Sequence, residues 1–211
     1  MSVTLRRTLM LLAVLCAASA CVPRGDPALD GAFEDNFDRS DVGPLWRSTG
    51  GPFQIVDGKL KIRGARNKPL WLRRTLPRDV RIEFDARSES REGDIKLEVY
   101  GDGVSRATQA SYTATSYVVI FGGWSNSMNV IARLDEHAED RAVGPSRKVE
   151  VGHTYRMKIE RIGDTITAWA DGQMLASMKD PSPLWGKGHD HFAFNNWQAE
   201  VWFDNLKITP L

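Results

Sequence analysis

Two sets of side chains in this sequence have the types that sugar chemistry uses. The first is carboxylates: Glu83-Phe84-Asp85 in one alternating run, Glu98 in the next, and Glu136 further on. Cleaving a glycosidic bond takes two carboxyl groups flanking it, one as acid and one as nucleophile or base. Glu83 and Asp85, with Glu98 or Glu136 as partner, are therefore the candidate catalytic residues. The competing assignment leaves Glu83 and Asp85 on a solvated strand face, paired with Arg81, Arg87 or Lys96.

The second set is aromatic and amide. Trp124, Asn126 and Asn129 lie in and after a glycine-rich segment, Arg133, Glu136 and His137 follow, and His191, Asn195 and Trp197 stand near the end. Sugar rings stack their apolar faces on indoles while amide, imidazole and charged groups satisfy the hydroxyls, so these nine residues are the candidate ligand-binding set. The alternative for Trp124 and Trp197 is a place in the core or at a sheet edge, the usual fate of large apolar side chains. His189-Asp190-His191 has ligand types for a transition metal but lacks a third ligand at a suitable spacing.

The elements that must position these residues are strands. From Phe33 onward, short alternating runs are cut by Gly, Asp, Asn and Pro, the period of two expected of half-buried strands. Ile82, Phe84 and Ala86 alternate with Arg81, Glu83 and Asp85, and Ile95, Leu97 and Val99 with Lys96, Glu98 and Tyr100. Asp57-Gly58 and Asp171-Gly172 supply the positive φ of tight hairpin turns. His191, Ala193, Asn195 and Trp197 share one face, backed by Phe192 and Phe194. Residues 134–141 offer one helical turn at most. The expected class is all-β: a two-sheet antiparallel β-sandwich.

The segments Phe33-Glu34-Asp35-Asn36-Phe37-Asp38, Phe53 to Leu60, Tyr155 to Ile159 through Ala170-Asp171-Gly172-Gln173, and Trp202-Phe203-Asp204-Asn205-Leu206-Lys207-Ile208 are similar to the concanavalin A-like lectin/glucanase superfamily. That resemblance implies a jelly-roll sandwich with its first and last strands side by side and a concave face on which relatives bind or cleave polysaccharides. It also makes Asp35 and Asp204 neighbours and so candidate ligands of a structural calcium, the alternative for each being a turn cap or a bond to local backbone amides; no other cofactor is expected. Laminarinase-like members carry Glu-x-Asp-x-x-Glu or Glu-x-Asp-x-Glu; here Glu83-Phe84-Asp85 is followed by Glu89, one or two residues late, with Arg87 between.

The N-terminus has a basic start with Arg6 and Arg7, a short apolar run from Leu9 to Ala20, and Cys21. Such a segment is a secretory signal, too short to span a bilayer. Ala18-Ser19-Ala20-Cys21 resembles the bacterial lipobox, which implies lipidation at Cys21; ordinary cleavage before Cys21 is the alternative. Residues 1–20 are then a signal peptide, 21–31 the lipidated cysteine and tether, and 32–211 the sandwich domain. The mature chain keeps Cys21 as its single thiol, so no internal disulfide forms. Losing Arg6 and Arg7 takes the net charge from +1 to −1, which points away from nucleic acid as a partner. The expected role is recognition of a carbohydrate at the cell envelope, with the membrane engaged through the lipid alone. A glycoside hydrolase and a non-catalytic interaction module are the alternatives.

Overall fold

The computed structural model describes residues 25–108 and 112–211. The signal segment and Cys21 lie outside the described residues. Alternating sequence becomes strand almost throughout. The first five are β1 (Phe33–Asp35), β2 (Trp46–Ser48), β3 (Gln54–Val56), β4 (Lys59–Arg63) and β5 (Leu70–Leu72). The middle of the chain forms β6 (Val80–Ser88), β7 (Ile95–Gly101), β8 (Tyr117–Gly122), β9 (Met128–Arg133) and β10 (Ala142–Val143). The last are β11 (Thr154–Ile162), β12 (Thr165–Ala170), β13 (Gln173–Lys179), β14 (His191–Asn195) and β15 (Glu200–Pro210).

These pair antiparallel into two sheets. One runs β13-β12-β11-β6-β15-β4-β3, with β1 also on β15, and the other β10-β9-β8-β7-β14-β5-β2. First and last strands are neighbours, Phe33 opposite Ile208. The Asp57-Gly58 turn joins β3 to β4 with φ of 50° and 68°, values that suit the two-residue hairpin. Phe84 and Phe203 of the first sheet pack on Phe194 of the second, with centroids 5.5 and 4.3 Å apart, so the core lies between the inner faces.

Three local expectations are corrected. Tyr100 does not share a face with Lys96 and Glu98: the register skips it beside a bulge opposite His191 and Phe192, its φ is 61°, and its ring joins the core. Residues 134–141 form two successive hydrogen-bonded turns, Ala138 N–H to Asp135 O and Arg141 N–H to Ala138 O, rather than a helical turn. The tether expected over 21–31 is docked from Asp26 onward. The Asp26 carboxylate meets Arg47 at 2.8 Å, Arg73 at 3.3 Å and His191 at 3.3 Å, and the backbone of Leu29 bonds to Thr75. Those cations, invisible at that distance in sequence, fix the segment to the sandwich.

Candidate functional site

On the outward face of β7, Lys96 and Glu98 project away from the core, yet neither is exposed: Lys96 is 2% and Glu98 0% accessible. The connection between β7 and β8 crosses this face, and its Ala107, Tyr112 and Ala114 pack on Val118, Ile120 and Val130. Beside that cover opens a cavity of about 440 Å³ lined by Asp94, Lys96, Trp124, Glu136, His137 and Trp197, among others.

Each wall is fixed by backbone geometry. Trp124 sits in a left-handed turn, with φ of 74° at Gly122, 48° at Trp124 and 63° at Asn126. The turn is locked by Asn126, whose Nδ2 donates to Val149 O at 2.8 Å and whose Oδ1 accepts from Val149 N–H at 2.8 Å. A glycine is needed at 122, since a Cβ there would lie 2.6 Å from Asn126 Oδ1. Trp197 is held at both ends of its peptide unit: its N–H donates to Asp94 and its carbonyl accepts from Arg66 N–H at 3.0 Å. Its side chain is nonetheless 40% exposed. A large indole on a pinned backbone, left open to solvent, suits stacking against a flat ring.

The floor is charged. Lys96 Nζ donates to Asn67 Oδ1 at 2.6 Å and pairs with Glu136, whose other oxygen lies 3.7 Å from His137 Nε2. Behind Lys96, Glu98 accepts from Ser116 Oγ at 2.7 Å, Asn195 Nδ2 at 2.8 Å and the Tyr112 hydroxyl at 3.0 Å. Burial pushes the Glu98 carboxyl above its usual range, against those bonds and the Lys96 charge. Burial likewise pushes Asp94 up to about 6, opposed by Lys96 and by the backbone N–H groups of Trp197 and Gln198. Asp94 has the positive φ of 58° that aspartate tolerates. A carboxyl poised near neutrality at a cavity is suited to taking and returning a proton.

A family model for the 3-keto-alpha-glucoside-1,2-lyase-like domain matches residues 32–209. The chain belongs to this family. No curated protein matches it in sequence. Among solved structures, this member of the lyase-like family is similar to the carbohydrate binding module CBM66 from Bacillus subtilis, at 15% identity over 79% of this chain and 96% of that one, with a TM-score of 0.58. It is also similar to a candidate glycosyl hydrolase from Parabacteroides distasonis (15%, 86% and 94%, TM-score 0.60). The Emp47p carbohydrate recognition domain is a third (12%, 85% and 95%, TM-score 0.57). At these identities the likeness shows the fold, a concanavalin A-like jelly roll.

Within this family member the sequence candidates separate. Trp124, Glu136, His137 and Trp197 line the cavity, and Asn195 and Glu98 stand behind it as one hydrogen-bonded layer. Asn126 and Asn129 are buried in backbone bonds, Asn129 to Gly122, Pro145 and Arg147, so they shape the turn and do not face a ligand. Arg133 pairs with Asp180 at 2.9 Å, and His191 is tied to Asp26 and, at 2.6 Å, to Asp190.

Glu83 and Asp85 are on the opposite sheet. Arg156 lies 3.8 Å from Glu83 and 3.3 Å from Asp85, and Asn205 donates to Asp85 at 2.8 Å. They do not meet Glu98, which belongs to the other layer. His189 bonds to Thr115 O at 2.7 Å. The calcium pair does not converge either. Asp35 is held by Arg39 and by the Trp46 indole at 2.8 Å, whereas Asp204 pairs with Lys59. Two carboxylates already neutralised by chain cations do not form a calcium cage. Among the described residues no three His, Cys, Asp or Glu side chains gather at a point.

Asp94, Lys96 and Asn67 join the site although they are not among the candidates read from the sequence. One signal was available: strict alternation puts Asp94, Lys96 and Glu98 on one face of the same run, an improbable polar stripe beside Ile95, Leu97 and Val99.

Proposed function

We propose that this chain acts on a glycoside, holding the sugar between Trp124 and Trp197 and exchanging a proton with it through Asp94. The observation that carries this reading is the convergence on one cavity of two indoles with Asp94, Lys96 and Glu136. The family description supports the reaction class. A 1,2-lyase working on a glucoside with a ketone at C3 takes the C2 hydrogen, which the ketone acidifies, and breaks the C1–O bond as a C1=C2 double bond forms. Asp94 is the acceptor of the C2 proton and then returns it to the departing oxygen. Lys96, paired with Glu136 and bonded to Asn67, holds these two side chains in place at the cavity floor beside the sugar. Burial of Glu98 and its three donors keeps the Lys96 layer rigid.

The test is incubation of the protein with a 3-keto glucoside and with its unoxidised counterpart. The aglycone is released from the oxidised sugar alone. Asp94→Asn abolishes release yet keeps binding, while Trp124→Ala and Trp197→Ala each weaken binding by about tenfold, the scale of a stacking contact. Binding with no release returns the recognition role, and neither binding nor release refutes both. From its N-terminal sequence we also propose that the protein is exported to the cell envelope and lipid-anchored through Cys21. Fractionation of a Cys21→Ser variant tests this: the protein moves from the membrane to the soluble fraction.

A further inference from the structure

The cavity wall is electrically lopsided. Glu92, Asp94 and Glu136 contribute three carboxylates, and Lys96 is the only lysine or arginine among the described residues lining it. Lys96 is buried and already engaged by Glu136 and Asn67, so its charge is largely compensated within the wall. Glu98 adds a further carboxylate behind, two residues along β7. His137, at the rim, has a side chain 67% exposed and faces Glu136 and the Trp124 ring, centroids 5.7 Å apart. Tyr112, the remaining titratable group on the wall, is driven further toward its neutral form by burial and by Glu98. Arg141 lies over Trp124 at 5.2 Å but does not line the cavity.

Two physical effects then act with one sign. Glu92 and Asp94, which have no lysine or arginine ion-pair partner among the described residues, focus a negative potential on the recess, and the exposed indole of Trp197 adds the negative side of its quadrupole. We infer that the cavity selects a saccharide bearing a protonated amine and turns away uronates and sulfated sugars. This rests on the saccharide reading above and adds the charge class of the sugar. Glu92, exposed at the mouth and held by no described ion pair, is the carboxylate freest to meet the amine. Asp94 sets the field deeper in.

The experiment compares three glycosides that differ only at C6: methyl 6-amino-6-deoxy-α-glucoside, methyl α-glucoside and methyl α-glucuronide. Calorimetric titration of the full-length protein, above the pH range in which Asp94 titrates, gives their dissociation constants. The amine binds up to about fivefold more tightly than the neutral sugar, and the uronide up to about fivefold more weakly, the size of one partly screened charge contact. Both gaps narrow at high salt. Glu92→Gln reduces the amine preference several-fold. Equal constants for the three, or an amine bound no better than the neutral sugar, overturn the charge selection. If Trp197→Ala still weakens the neutral glycoside, the saccharide reading survives that result. Tightest binding by the uronide also overturns the charge selection, and no binding by any of the three removes both claims.

Discussion

Replacing Lys96 by methionine should be among the most damaging single changes on the site's side of the sandwich. The lysine side chain is 2% exposed and that of its partner Glu136 12%, so the pair sits largely out of water. Methionine preserves the stem and its packing but removes the ammonium, stranding the Glu136 carboxylate and the Asn67 amide oxygen. Removing one partner of a buried ion pair costs about 3–5 kcal/mol. Glu136 keeps some access to solvent and a neighbour in His137, which places the expected loss near the lower end, about 3 kcal/mol. At about 2–4 °C per kcal/mol for a domain of this size, the midpoint of thermal unfolding falls by about 10 °C. Urea unfolding followed by tryptophan fluorescence reads the change, with the slope unaltered if only stability has moved. The double variant Lys96→Met with Glu136→Gln should recover at least half of the loss, because it leaves no stranded charge. A single variant within about 1 kcal/mol of the parent, or a double variant no better than the single, would refute the claim that this charge pair holds the cavity floor.

Asp94 makes a second prediction with a definite sign. Its folded value of about 6 exceeds the ordinary 3.8, so between those values the folded state binds a proton that the unfolded state does not. Stability therefore falls as the pH rises through that window. Asp94→Asn should flatten much of the slope and gain about 1–2 kcal/mol at neutral pH after allowance for its partial exposure, as denaturation at several pH values would show; buried Glu98 contributes a remaining slope of the same sign. Asp26→Ala removes the partner of Arg47, Arg73 and His191 and should cost about 1–3 kcal/mol, with the segment from Asp26 to Leu29 becoming open to protease; unchanged cleavage rates would count against the docked segment. Gly122→Ala drives a Cβ to 2.6 Å from both Asn126 Oδ1 and Val149 Cγ2 at a φ of 74°, so it should lower stability by about 2 kcal/mol or more and weaken sugar binding through Trp124.

Much of the fold was legible because its signals are local. Alternation in Ile82-Glu83-Phe84-Asp85-Ala86 sorts inner from outer side chains within five residues, and Asp57-Gly58 and Asp171-Gly172 encode their own turns through backbone preference. The candidate site was legible only in part. Trp124 stood out as a large indole among Gly, Ser and Asn residues, where a core role was harder to supply, and Trp197 because alternation puts it on one face with His191 and Asn195. Glu83-Phe84-Asp85 left catalysis and a solvated face both open because spacing along one strand says nothing about which layer the strand enters; the solvated face holds, but the partner is Arg156 and not Arg81, Arg87 or Lys96, since β11 lies against β6.

By itself, then, the sequence determined the all-β class, the hairpins, the inner faces of the strands and the two tryptophans worth testing. Its N-terminal segment carries the expectation of export through Cys21. Tertiary structure alone decided which polar groups converge. Asn67 follows β4, Asp94 precedes β7, Glu136 follows β9 and Trp197 follows β14, and the pairings of β14 with β5 and β7 help bring these connections to one opening. The physical reason lies in the cover over β7. An alternating strand specifies two faces but cannot say that a distant loop will bury the polar one. Once Tyr112 closes over Glu98, what reads as a solvated stripe becomes the charged floor of a cavity.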